Sequence, residues 1–219
     1  YRLILESDPD HGDALNNLGI LLRRQDRLNE SVEVLRRAIR NHPDFPSAFN
    51  SLGMSLARAG QFDDALTALR QALVIDPGFA IARLNIAHTL EQSGDLTGAI
   101  DALGAYLAQK PDDADALNRL GCYQSAAGQM TEALRNLTRA VELAPDSSDA
   151  SINLAVLLED LGQDKEAIGL RRRVVDLAPI DAENLMNLAR LSSDAGQAEE
   201  ALDWFERALD LAPQMPLLH

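Results

Sequence analysis

Residues 12–45 read GDALNNLGILLRRQDRLNESVEVLRRAIRNHPDF, and the reading of this stretch decides the fold. Leu18-Gly19 stands near its start, Ala38-Ile39 late in it, and Pro43 close to its end. Thirty-four residues on, the same marks return as Leu52-Gly53, Ala72-Leu73 and Pro77. The prolines form a ladder at Pro9, Pro43, Pro77, Pro111, Pro145, Pro179 and Pro213, each step 34 residues with no insertion. A fixed period of this length marks a stacked helical array, in which each unit packs mainly on its neighbours, and not a single globular core.

Within the period, Gly12, Pro46, Ala80, Ala114, Ser148 and Ala182 are taken as position 1. Position 7 is then Leu18, Leu52, Ile86, Leu120, Leu154 and Leu188, and position 8 is always Gly or Ala. Apolar or small residues at 4, 7, 8 and 11 share one helical face and predict a first helix, A. Position 15 is Asp26, Gly60, Gly94, Gly128, Gly162 and Gly196. Such residues end a helix in the left-handed conformation, which glycine adopts freely and Asp tolerates. The spacing 20, 21, 24, 27, 28 predicts a second amphipathic helix, B, opened by acidic residues such as Glu30 and Asp64 and closed by the proline at position 32. The expected organisation is the end of a truncated preceding repeat over 1–11, six units over 12–45, 46–79, 80–113, 114–147, 148–181 and 182–215, and a frayed C-terminus at 216–219.

Composition narrows the function. A hydrophobic fraction of 46% with 4% aromatic predicts a continuous core of Leu, Ala, Ile and Val. A net charge of −14 argues against a nucleic-acid partner, which needs a basic stripe to displace counterions, and against docking on an anionic membrane. No apolar run is long enough for membrane insertion. The single cysteine, Cys122, leaves the redox compartment open.

The marks at 7–8, 15, 20, 27 and 32 resemble the tetratricopeptide repeat (TPR) over essentially the whole chain. The resemblance implies an all-α fold: a right-handed α-solenoid of antiparallel helix pairs, the TPR superhelix, with helix A on the concave side. Two departures stand out. Position 4, often Trp in the family, is Leu15, Phe49, Arg83, Leu117, Ser151 and Leu185. In the fifth unit position 17 is Asp164 and position 24 is Arg171, and these two are expected to form a partly buried ion pair.

In such arrays positions 2, 5, 6, 9, 12 and 13 face the groove, and these carry the candidate peptide-binding site. Position 6 reads Asn17, Ser51, Asn85, Arg119, Asn153 and Asn187; position 5 adds Asn16, Asn50 and Asn118. An asparagine amide donates and accepts, so a row of them can hold a peptide backbone whatever its sequence. This partial row resembles the asparagine ladder in the TPR domains of O-linked N-acetylglucosamine transferases. The alternative is that these asparagines are consensus packing residues. Arg23, Arg24 and Arg58 against Asp13 make the first two units basic, whereas Asp149, Glu159, Asp160, Glu183 and Asp194 against Arg190 make the last two acidic; this is either a polarity that favours one ligand orientation or a solvated mixed surface with no partner. Met54, Met186, Ile20, Ile81, Leu84, Ile152 and Val156 are apolar at groove positions and offer anchor pockets. His88 faces the groove as well. The chaperone-tail carboxylate clamp of some TPR modules needs Lys at position 5, which no unit has.

Nothing points to catalysis, a metal or a cofactor. The four histidines lack paired ligand spacing, His11 and His42 being expected in equivalent turns between units. There is no Gly-rich phosphate loop and no nucleophile motif. Cys122 is expected as a small apolar filler, and Arg36-Arg37 and Arg171-Arg172-Arg173 on the convex side of helix B. Trp204 is a modest contact candidate. The expected partner is a protein or peptide bound by a non-catalytic scaffold. The alternatives are a substrate-recruiting segment of a larger enzyme, such as a glycosyltransferase, and a module that associates end to end with its own copies.

Overall fold

A computed structural model describes residues 2–177 and 182–211. Pro179, Pro213 and the stretch 216–219 lie outside the described residues. All regular structure among them is helical, and two compact units, Tyr1–Pro111 and Asp112–His219, contain it. The first holds α1 (Arg2–Ser7), α2 (Gly12–Arg24), α3 (Leu28–Asn41), α4 (Pro46–Arg58), α5 (Phe62–Ile75), α6 (Ala80–Ser93) and α7 (Leu96–Leu107). The second holds α8 (Ala114–Ala126), α9 (Met130–Leu143), α10 (Ser148–Asp160), α11 (Asp164–Leu177), α12 (Ala182–Asp194) and α13 (Ala198–Leu211). In each unit every helix packs on the next, and A helices also touch one another, as in α2 on α4, α4 on α6 and α8 on α10. The arrangement is an α-solenoid of helix pairs.

The turn inside each pair has one geometry, dictated by position 15. The five glycines there have φ of 70° to 85° and Asp26 has φ 61°. This left-handed residue lets the next amide reach back to the carbonyl at position 11. The bond recurs in all six pairs at 2.8–3.0 Å, from Arg27 to Leu22 through Gln197 to Ser192, and it satisfies a carbonyl that the helix end would otherwise orphan.

Helix A lies on helix B through a small-on-large contact. A Cβ added at Gly19 or Gly53 would come within 2.5 Å of Leu35 or Leu69, and one at Gly121 within 2.6 Å of Leu137. Position 8 is therefore small because the position-24 side chain of its own pair fills that space. The position-20 residues Ser31, Ala65, Ala99, Ala133, Ala167 and Ala201 are all buried. Ser31 keeps its hydroxyl satisfied by donating to the Gly19 carbonyl (2.7 Å) beside Ser55 Oγ (2.9 Å). In the fourth pair a buried amide pair replaces apolar contacts: Asn136 Nδ2 donates to Gln124 Oε1 at 2.6 Å.

Arg171 corrects one expectation. It is 3% exposed, yet its partner is not Asp164. Its Nε donates to Glu159 Oε1 on α10 (2.6 Å) and an Nη to Asn184 Oδ1 on α12 (3.2 Å), while Asn184 Nδ2 returns a bond to the Arg171 carbonyl (3.1 Å). Seven residues along a helix is a rise of about 10 Å, too far for a contact with Asp164, whereas the neighbouring helices flank position 24. Asn184 occupies position 3, where the other five pairs have Ala14, Ala48, Ala82, Ala116 and Ala150.

Three other helix-B arginines act as struts between pairs. At position 26, Arg37 bonds Asp10 Oδ1 (2.9 Å) and the Pro9 carbonyl (2.8 Å), Arg139 bonds Asp112 Oδ1 (2.9 Å), and Arg173 bonds the Pro145 carbonyl. His11 and His42 are not equivalent. His11 caps the start of α2, accepting from the Ala14 amide (3.4 Å), and His42 follows α3, with Nε2 2.9 Å from the Asp10 carbonyl. Among the described residues no helix is long and apolar enough to cross a membrane.

Candidate functional site

The exposed face of the A helices repeats with the fold, because positions 5, 9 and 13 stand one turn apart on one stripe. The central observation is that position 5 of one pair meets position 6 of the next. Asn85 Nδ2 donates to Asn50 Oδ1 at 2.8 Å in the first unit, and Asn153 Nδ2 donates to Asn118 Oδ1 at 3.0 Å in the second. All four side chains are half-buried. The amides expected as independent hooks are thus joined in pairs across adjacent helices. Each pair uses one N–H and one acceptor site, leaving three N–H donors and further acceptor capacity on its two amides.

Where the sequence breaks this pattern, so does the geometry. Asn16 should meet position 6 of the second pair, but that residue is Ser51. The shorter side chain does not replace the amide: Asn16 is 8% exposed and its Oδ1 has no partner. Asn16 and Ser51 are thus enclosed and not open to a ligand. Asn17 and Asn187 are half-buried, and Arg119 bonds the Tyr123 hydroxyl at 3.2 Å. Spacing of 35 residues between Asn in successive units is the signal that would have found the pairs.

The charged positions differ from a simple basic-to-acidic polarity. In the first unit Arg58 Nε meets Asp26 Oδ1 at 3.0 Å. Burial first, then the charges of Arg58 and Arg24, pull the Arg23 guanidinium below its ordinary value. In the second unit Glu159 is not a free acid: Arg171 holds one oxygen (2.6 Å) and Arg190 the other (2.9 Å), while Arg190 also reaches Asp194 (3.4 Å). Asp149, Asp160 and Glu183 remain exposed. The acidic end is therefore weaker than the sequence count suggests, because a buried arginine from helix B enters it.

Of the apolar candidates, Ile81 and Val156 are exposed, and Ile20, Met54, Leu84, Ile152 and Met186 are half-buried. His88 Nδ1 lies 3.2 Å from Glu91 Oε2. Cys122 is half-buried, and burial pushes its thiol up. Trp204 is half-buried under the Arg207 guanidinium, 4.5 Å from its ring centre. Among the described residues no group of three or more His, Cys, Asp or Glu is arranged to hold a metal.

The sequence matches models described as tetratricopeptide repeat over residues 1–48, 56–120, 125–179 and 182–215. The chain belongs to the tetratricopeptide repeat family. No curated protein matches it. Solved structures share the fold. YrrB, described as a TPR protein with an unusual peptide-binding site, is 22% identical with a TM-score of 0.71 over 84% of this chain and 94% of its own. PilF of Pseudomonas aeruginosa is 17% identical with a TM-score of 0.75, covering 93% of both chains. MamA of Desulfovibrio magneticus is 21% identical with a TM-score of 0.69, over 78% of this TPR chain and 96% of its own.

Proposed function

We propose that this TPR chain is a protein-interaction module that holds an extended peptide or partner segment against the exposed face of its A helices, through 34-residue units that each add one pair of helices. The observation that carries the reading is the pair of cross-helix asparagine contacts, Asn50–Asn85 and Asn118–Asn153. Each pair orients its amides by a mutual bond and leaves donors and acceptors at half-buried positions. Amides fixed in this way bond a peptide main chain without ordering entropy of their own, and a main chain presents the same groups whatever its sequence. The flanking apolar residues, Met54 in one unit and Met186 in the other, supply side-chain contacts. The position-6 asparagines also support a narrower version, in which the row recruits substrate for an enzyme domain such as a glycosyltransferase.

The test is capture of partners from a source lysate by the wild type and by an Asn85→Ala/Asn153→Ala/Asn187→Ala variant whose helical content is first shown to be intact. Loss of the same partners from the variant supports backbone capture on this face. Unchanged capture moves the site to helix B and refutes the reading. Leu202 and Leu211, exposed on α13, favour end-to-end association as a third reading; a single sedimenting species at every concentration removes it.

A further inference from the structure

The first unit gathers three guanidinium groups where the fold does not ask for them. Arg23 and Arg24 end α2 and Arg58 ends α4. Among the described residues neither Arg23 nor Arg24 makes an ion pair, and Arg23 Nε is buried without a hydrogen-bond partner. Asp26 is spent on an exposed contact with Arg58, of a kind worth little. Basic residues in a last turn complement the helix dipole, but α6, α8, α10 and α12 end with none. A cluster of like charges in a chain of net charge −14 is therefore an excess that folding does not explain.

One turn back along the same stripe stand Ile20 on α2 and Met54 on α4, both half-buried. One turn before Met54 stands Asn50, bonded to Asn85. The face thus runs from amide to apolar to basic. We infer that Arg23, Arg24 and Arg58 receive the acidic side chains of an extended peptide whose apolar residues lie on Ile20 and Met54. Three guanidinium charges less Asp26 leave two unmatched, which calls for two carboxylates and not a single chain terminus. Arginine suits them because its planar fork bonds a carboxylate through two parallel N–H groups. The inference rests on the peptide-holding reading and names the chemistry of the ligand.

The test is calorimetric titration of the chain with an acetylated and amidated peptide carrying two Leu-Gly-Glu-Glu units, and with its Gln-Gln counterpart. The acidic peptide is expected to bind at least about tenfold more tightly, with affinity falling as salt is added. Arg23→Gln/Arg24→Gln/Arg58→Gln is expected to erase the difference, and Arg40→Gln on α3 to leave it. The triple variant is also expected to melt no lower than wild type, since repulsion is relieved. Equal binding of the two peptides, an undiminished preference in the triple variant, or a lowered melting temperature would overturn the assignment. So would a Gln-Gln peptide with a free C-terminus that binds as tightly as the acidic one. If the acidic peptide fails while lysate capture still depends on the asparagines, this inference falls and the peptide-holding reading stands. If the peptide binds through the arginines while capture ignores the asparagines, backbone holding falls and the acidic site stands.

Discussion

Replacing Arg171 with Leu restores the residue type that the array uses at position 24, yet we expect it to destabilise the protein. Leu35, Leu69, Leu103 and Leu137 fill that position at 0–1% exposure, so a leucine fits the space. The cost comes from what the guanidinium leaves behind. Glu159, with a side chain 15% exposed, keeps only Arg190, and Asn184 Oδ1 faces an apolar group. Removing one partner of a buried ion pair costs about 3–5 kcal/mol, and stranding a buried acceptor about 1–3 kcal/mol. Against these stand the surviving Arg190 bond and about 1.5–3 kcal/mol for burying the leucine. The net is a loss of about 1–6 kcal/mol, toward the lower end because Arg190 survives. Asn184→Ala alone should cost about 1–3 kcal/mol by taking the acceptor from one Arg171 Nη. Together with Arg171→Leu it restores the residue types that the first four pairs carry at position 24 and their neighbours at position 3, and adding Glu159→Gln removes the last uncompensated charge. That triple variant should match or exceed the wild type, as replaced buried ion pairs often do. Urea unfolding followed by circular dichroism gives the cycle. Additive costs for Arg171→Leu and Asn184→Ala, or a stabilising Arg171→Leu on its own, would refute the network as the determinant of this site.

Gly53→Ala places a Cβ against Leu69 and the Ala65 carbonyl; overpacking of about 1–3 kcal/mol should outweigh the helix-propensity gain of about 1 kcal/mol, and the urea midpoint should fall. Gln124→Leu strands the Asn136 amide and should cost about 1–3 kcal/mol, with Gln124→Leu/Asn136→Ala recovering most of it in the same assay. The folded chain holds the Cys122 proton above the unfolded thiol value because burial disfavours the thiolate. Stability should therefore be full below about pH 8.5 and fall as pH rises toward the folded value; Cys122→Ala should flatten that alkaline limb in urea titrations, and the wild-type thiol should react more slowly with iodoacetamide when folded.

The 34-residue ladder alone determined the helical array. Position 15 dictated a left-handed residue, and small residues at positions 8 and 20 dictated close crossings, because these are local demands that one residue type meets in every copy. The tertiary structure decided what residues from different copies do to each other. Asn50 and Asn85 look like independent hooks until α4 and α6 are side by side, and Glu159 looks like a surface acid until Arg171 arrives from α11. Asp164 seemed the natural partner for Arg171 because helical periodicity ranks neighbours on one helix. It says nothing of the adjacent helices, and there Glu159 and Asn184 stand within hydrogen-bonding distance. Periodic chemistry is legible along a chain because each copy repeats its own environment. Pairing between copies depends on which side chains the packing brings within about 3 Å, and only the folded arrangement sets that.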